Sequence, residues 1–340
     1  MRSFAYVVLF LASSLAVINP APQPESIKKT IIKLATLAPR GSPWFEMLEN
    51  VRQEWLDISD GRVVLKMYSG GGFGDESDII VKLRLNQIQA AAVTTEGLGV
   101  IDKGVWAFSI PTLFKSDQQL AWVRQQVHDE FLQRFDEAGV QLVFWIDLGW
   151  SYWFSRVPIR TPDDLRKLRI YNWAAVDLQR VWKAGGFNAV LLSSTDILPG
   201  LHTGLIDCFA TTPLMAASFQ WFGRAKNMTR FKWGALVGGI IISNHVWDQI
   251  PADLQPRLLE AARRRAQSFQ QQVYDFDAEA IEAMTQYGLR VIDITPEEEV
   301  AWRTTIAPYL MLLRGTLVDA DMFDKVFALM ERMPEELAGR

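Results

Sequence analysis

From Thr30 onward the chain alternates between two hydrophobic rhythms. The run Thr30–Leu37 (TIIKLATL) is rich in β-branched and apolar residues and predicts a strand. Ser42-Pro43 then offers a capping oxygen and a proline at the favoured first helical position. Apolar residues recur at Phe45, Leu48, Val51, Trp55 and Ile58, the spacing of a helix with one buried face. Gly61 ends that helix and Val63–Tyr68 predicts the next strand. A glycine loop, Gly70–Gly74, leads to a helix around Glu76–Leu85 and a buried strand at Ala90–Thr95.

The same alternation resumes later. Val140–Asp147 predicts a strand, Pro162-Asp163-Asp164 opens a short helix, and Leu168–Tyr171 predicts another strand. A helix near Val176–Lys183 stops at Gly185-Gly186, Ala189–Leu192 is extended, Thr195-Asp196 caps a helix ending at Gly204, and Ile206–Thr211 is a strand. Strands alternating with helices imply an α/β fold, a mostly parallel sheet with helices on its faces. Two such units lie in one chain, and no repeat of solenoid length is visible. The last third is helical. Asp253–Tyr287 has no glycine and only Pro256 near its start, with apolar residues at Leu258, Leu259, Ala262, Ala266, Phe269 and Val273. Such a helix would be roughly 45–50 Å long at 1.5 Å per residue, longer than one unit. Leu289–Ile294 predicts a short strand, and Pro296–Arg332 terminal helices.

Composition adds boundaries rather than identity. A chain of 340 residues, 49% hydrophobic and 22% charged, suits two domains with substantial cores. Cys208 is the single cysteine, which rules out an intrachain disulfide framework and any multi-cysteine metal site. A net charge of −4 with no long basic run argues against a nucleic-acid partner, and Arg263-Arg264-Arg265 reads as a solvated helix face. Residues 1–26 read as a signal peptide and linker. Arg2 precedes the apolar run Phe4–Val17, and Ser14-Leu15-Ala16 offers a small-x-small cleavage pattern. Retention of that run as an anchor is the alternative. An exported protein is expected.

Motifs for catalysis are missing their partners. Gly70-Gly71-Gly72-Phe73-Gly74 lacks both the dinucleotide spacing and the Lys-Ser/Thr ending of a phosphate loop. His128, His202 and His245 share no metal-binding frame, Ser151 sits in no nucleophile elbow, and Cys208 has no evident activating base. No metal, cofactor or enzymatic activity is expected.

Several short segments, taken in order, carry a family resemblance. Pro158–Asn172 (PIRTPDDLRKLRIYN) resembles the P-I-x-T-P-x-D-L-K-G-L-K-I-R-V segment of TRAP-transporter solute-binding proteins, the DctP family. Gly61-Arg62-Val63-Val64-Leu65, Gly72-Phe73-Gly74, Phe108–Phe114, Ile206–Thr212 and Ser243–Gln255 (SNHVWDQIPADLQ) match further segments in the family's order. The resemblance covers residues 30–332. It implies a two-lobed fold of the type II periplasmic-binding-protein class, with a long helix spanning both lobes. One lobe would comprise residues 27–150 and about 240–275, the other residues 151–239 and about 276–332. The implied task is periplasmic: capture of a small molecule between the lobes and delivery to TRAP-type membrane permease subunits, by a protein expected to be monomeric.

The resemblance also implies site residues, and several depart from the family pattern. Tyr171 stands where the family places the arginine that grips a carboxylate, and Ser151, in Gly149-Trp150-Ser151, replaces a second arginine. Thr211 falls at a cleft asparagine and Thr94 near an acidic position. Trp150, Tyr171, Trp173 and Phe209 crowd the same places with aromatic rings, and Trp44 begins a helix just after the first strand. By contrast, Trp55, Trp145 and Trp247 read as core residues. Losing one partner of a buried charged pair costs about 3–5 kcal/mol, so the expected ligand is largely apolar or aromatic, or weakly polar. The alternative is a conventional organic acid held by Arg169, two residues back on the strand of Tyr171 and therefore on the same face. An extracytoplasmic sensor or carrier would use the same fold. A secreted hydrolase would need a clustered nucleophile and base, which the sequence does not show.

Overall fold

The computed structural model describes residues 29–173 and 176–338; the expected signal peptide lies outside them. The first lobe begins β1 (Thr30–Thr36), α1 (Pro43–Ile58), β2 (Val63–Tyr68), α2 (Glu76–Arg84), β3 (Ala90–Thr94), α3 (Thr95–Ile101). A 3-10 segment at Lys103–Ser109 leads to α4 (Asp117–Gln126) and α5 (His128–Glu137), and the long strand β4 (Val140–Ser155) crosses to the second lobe. There follow α6 (Pro162–Arg166), β5 (Arg169–Asn172), α7 (Val176–Ala184), β6 (Asn188–Leu191), α8 (Ile197–Thr203), β7 (Cys208–Thr211) and α9 (Pro213–Ser218). The return strand β8 (Asn227–Ser243) precedes α10 (Asn244–Trp247), α11 (Gln255–Gln286), β9 (Arg290–Asp293), α12 (Pro296–Leu310), α13 (Ala320–Glu331) and α14 (Glu335–Ala338).

Local chemistry sets these boundaries. Ser42 caps α1 by accepting from the Phe45 N–H at 3.3 Å, with Pro43 at the first helical position. Asp75 and Asp78 form a reciprocal capping box on α2, as Thr161 and Asp164 do on α6 and Thr295 and Glu298 on α12. Such caps satisfy donors that the helix itself leaves free.

The sheet order is β2-β1-β3-β8-β4-β7-β5-β6, with β9 also on β8. One end of β8 pairs with β3 (Gly238–Ile242) and the other with β9 (Asn227–Arg230), while β4 accompanies it throughout. The two halves of one nine-stranded sheet therefore share a pair of long antiparallel strands, and this is what makes the molecule two-lobed. The β4–β8 register slips between Asp147 and Gly149, where the strands pass from one half of the sheet to the other. Gly149 has φ +106°, and a Cβ there would lie 2.6 Å from the Asp277 carboxylate of α11. A bulge at this point bends the ladder without ending it.

β4 is longer than the expected Val140–Asp147, because Leu148–Ser155 continues it as a nearly unbroken aromatic and apolar run. The β8 strand was not among the elements expected from the sequence. The long helix α11 matches expectation and packs on both lobes. Leu258, Ala262 and Val273 join the core that holds Ile32, Trp55 and Ile240, whereas Ala280 and Met284 join the one around Phe154, Phe209 and Trp221. Trp55, Trp145 and Trp247 are buried, as expected.

The C-terminus departs from the expected division. Trp302 of α12 packs in the second lobe with Trp153 and Phe231, but Met322, Phe323 and Val326 of α13 pack with Phe108, Phe131 and Val105 of the first. The segment after residue 310 thus returns to the first lobe rather than completing the second. A short amphipathic helix carries no mark in sequence of which lobe its apolar face will meet.

Candidate functional site

In both lobes the parallel strands end on the same side, and a cavity of ≈ 350 Å³ opens there between them. This is where open α/β sheets place ligands, because strand ends and diverging loops leave a crevice. The first lobe contributes the end of β1 (Thr36, Leu37), the turn into α1 (Ser42, Trp44), Glu76 at the head of α2, and Thr94 and Glu96 around the β3–α3 junction. The second contributes Ser151, Tyr171, Trp173, the segment Ser194–Leu198, Ala210–Thr212 and residues of α9 and beyond. Leu148, Leu236 and Phe269 close the floor from the crossing strands and α11.

Trp44, Thr94, Ser151, Tyr171, Trp173 and Thr211 all line this cavity. Trp44 meets Phe269 edge-on at 5.5 Å, and Trp173 packs on Trp106 at 4.8 Å. Thr211 is buried with its hydroxyl 3.6 Å from the Met215 sulfur. Beyond Ser151, Tyr171, Trp173 and Ala210 lies a smaller chamber of ≈ 80 Å³, walled by Trp106, Trp153, Trp182 and Trp233.

The other sequence-predicted residues lie elsewhere. Trp150 alternates with Ser151 on β4 and so faces the opposite side. Its indole N–H donates to Asp117 at 2.5 Å and Lys232 sits 4.6 Å above the ring. Phe209 is fully buried, stacked on Phe154 at 5.5 Å and edge-on to Trp221; it supports the cavity wall from behind. Arg169 is the first residue of β5, at the end away from the cavity, and is not among the lining residues. Both ends of its guanidinium are engaged by Asp207 at 2.7 Å, so a shared strand face did not bring it to the cleft.

The features that sequence reasoning missed are acidic. Glu76 is almost fully buried and accepts from the Thr94 N–H at 2.9 Å, the Thr94 hydroxyl at 2.8 Å and the Gly97 N–H at 2.8 Å. Its carboxylate therefore occupies the N-terminal end of α3, where backbone donors and the helix dipole favour negative charge. Asp277 of α11 does the same for α9, accepting from the Leu214 N–H at 2.9 Å. Glu96 is 6% exposed, and one of its carboxyl oxygens has no protein partner. The Tyr171 hydroxyl, also in a residue 6% exposed, has none either.

Burial dominates the electrostatics. It pushes Glu76 up to about 7 despite the three donors, and Glu96 well above the usual range, with the Glu76 charge adding to the effect. Tyr171 is likewise raised, first by burial and then by Glu96. Among the described lining residues there is no lysine, arginine or histidine. The position of Thr94, matched to an acidic family position, was the available hint. The carboxyls lie beside it, one two residues on in sequence and one hydrogen-bonded to it.

The chain matches the family described as bacterial extracellular solute-binding protein, family 7 (DctP), over residues 34–313. It is 25% identical over 305 residues to the C4-dicarboxylate-binding periplasmic protein DctP of Rhodobacter capsulatus, covering 87% of this chain and 89% of that one. A TRAP periplasmic solute-binding protein from Xanthobacter autotrophicus, solved with bound β-D-galacturonate, superposes with a TM-score of 0.80 at 20% identity, covering 88% of this chain and 98% of that one. The sugar acid binding protein of Advenella mimigardefordensis, in complex with galactonate, gives 0.83 at 17% identity, covering 90% and 99%. The chain belongs to this DctP family of non-catalytic TRAP periplasmic solute-binding proteins, which bind a small molecule for a membrane permease.

Proposed function

We propose that the ligand delivered to the permease is a small molecule with a largely apolar or aromatic body and one polar group, bound by a monomer between the two lobes. The observation that carries this reading is the lining itself: six aromatic rings (Trp44, Tyr171, Trp173, Phe219, Trp221 and Phe269) and no basic side chain among the described lining residues. Aromatic and apolar walls with a few convergent polar groups are the usual dress of a small-molecule site. Burying roughly 250 Å² of apolar ligand surface at 25 cal/mol per Å² contributes about 6 kcal/mol before binding costs. The side chamber behind Tyr171 and Trp173 extends the apolar volume.

A second reading is favoured by the relatives. Two solved family members carry galacturonate and galactonate, and the Rhodobacter relative is named for C4-dicarboxylates, which speaks for an organic acid here too. In this chain Arg169 would have to leave Asp207 and swing past the strand to meet it. Native mass spectrometry of the purified protein, followed by titration calorimetry with C4-dicarboxylates, sugar acids, aromatic acids and neutral lipids, tests the two. Micromolar binding of a simple dicarboxylate, abolished in Arg169→Ala and weakened by salt, would replace the apolar reading with the acid one. Light scattering on the same sample checks the monomer.

A further inference from the structure

Two groups of backbone donors beside the cleft are already taken by the chain's own carboxyls: Glu76 accepts from Thr94 and Gly97, and Asp277 from Leu214. Glu96, in contrast, presents a carboxyl oxygen with no protein partner, buried in a residue that lines the cavity. The Tyr171 hydroxyl is also buried without a protein partner, in a residue that lines the same space. Among the described lining residues, every ionisable group is an acid or a phenol.

We propose that the polar group of the ligand is a cationic nitrogen, an amine or quaternary ammonium, received by the Glu96 carboxylate and by the aromatic faces around the cavity. This deepens the preceding reading and rests on it, since the same cleft must hold the ligand. A cation over Trp or Tyr is attracted by the ring quadrupole, most strongly where water is excluded. An apolar ammonium places its methylenes or methyls against those rings and its charge against the acid.

The charged surroundings of Glu96 agree. Asp75 and Glu76 act on it from α2, and Tyr171 feels Glu96, Glu76, Asp75 and Asp196 together. Lys103 lies in an outer groove that also touches Glu96, but Asp177 holds it at 3.5 Å and the Thr316 carbonyl at 2.8 Å. Burial and the Glu76 charge favour the neutral form of Glu96. A permanent cation favours the ionised forms of the acids beside it, so its affinity rises with pH. An anion has the opposite slope, and a neutral molecule none.

The test uses three probes of similar shape on the full protein after ligand removal: benzyltrimethylammonium, its neutral carbon analogue neopentylbenzene, and phenylacetate. Titration calorimetry at pH 6, 7 and 8 should show the ammonium binding at least about tenfold tighter than the neutral analogue at pH 8. Its affinity should rise with pH, and the preference should vanish in the isosteric Glu96→Gln, where any slope that remains belongs to Glu76. Should that variant fail to fold, the preference for the ammonium over its neutral analogue in the unaltered protein still decides. Equal or tighter binding of the neutral probe overturns the cation and leaves the apolar cleft standing. Tightest binding of phenylacetate, with a falling pH slope, overturns the cation in favour of the acid. No binding of any probe at millimolar concentration overturns both the cation and the apolar cleft.

Discussion

Tyr171→Phe removes one oxygen and nothing else, and its two consequences should have opposite signs. The hydroxyl is deeply buried with no protein partner, near two glutamates. An unsatisfied buried polar group costs about 1–3 kcal/mol. The void left by the oxygen, roughly 10–15 Å³ at about 24 cal/mol per Å³, returns only about 0.3 kcal/mol of that. The variant should therefore be more stable than the native protein by about 1 kcal/mol or more, raising Tm by about 2–4 °C. Ligand binding should weaken by about two- to twelvefold, the loss of one hydrogen bond worth about 0.5–1.5 kcal/mol. Scanning calorimetry must use protein unfolded and refolded in guanidinium to strip carried ligand, because a bound ligand raises the apparent stability of the native protein alone. An unchanged or lower Tm in the stripped variant would refute the reasoning, since it would mean that the hydroxyl already has its hydrogen bonds in the empty cleft.

Further perturbations probe the hinge, the rim and the motion. Burial raises Asp277 from 3.8 to about 7, so the stability it lends is complete below about pH 4 and is lost as pH rises through 7. Asp277→Asn keeps the acceptor for the Leu214 N–H and cannot ionise, so at pH 8 it should be the more stable protein, by on the order of 2–4 kcal/mol. Equal Tm values at pH 8 would show that burial does not hold the carboxyl neutral. Gly149→Ala must place a side chain at φ +106° against the Asp277 carboxylate and should cost about 1–3 kcal/mol in urea unfolding; a smaller loss would mean that the crossing strands yield easily. Arg169→Ala, which only frees Asp207 at the surface, should leave ligand affinity unchanged. Small-angle scattering should show a smaller radius of gyration on saturation with ligand, as expected for lobes closing around a shared pair of strands, and an identical radius would argue for a rigid cleft.

Most of the architecture was legible because it rests on periodic signals. The Ser42 cap sits beside its helix in sequence, and the apolar spacing of α11 runs unbroken past the length of one lobe, whereas the Thr161 and Thr295 caps were seen only in the structure. The destination of α13 was not legible, because its lobe is chosen by contacts more than a hundred residues away. Strand alternation separates the site residues in the same way. Ser151 faces the cleft and Trp150 cannot, and a motif match that covers both gives no reason to choose between them.

The acidic character of the cleft was hidden for a different reason. Glu76 and Glu96 look in sequence like the ordinary first-turn acids of two helices, and such residues are usually solvated. What distinguishes them is burial and the accounting of donors. Glu76 accepts from Thr94 and Gly97 at the start of α3, while one carboxyl oxygen of the neighbouring Glu96 has no protein partner. The replacement of an arginine by Tyr171 that the sequence resemblance implies then has a physical companion. An arginine at this position would face two buried carboxyls and would be drawn into an ion pair with them rather than toward a ligand acid. Tyrosine in that position and a buried glutamate near it agree with the cationic ligand proposed above.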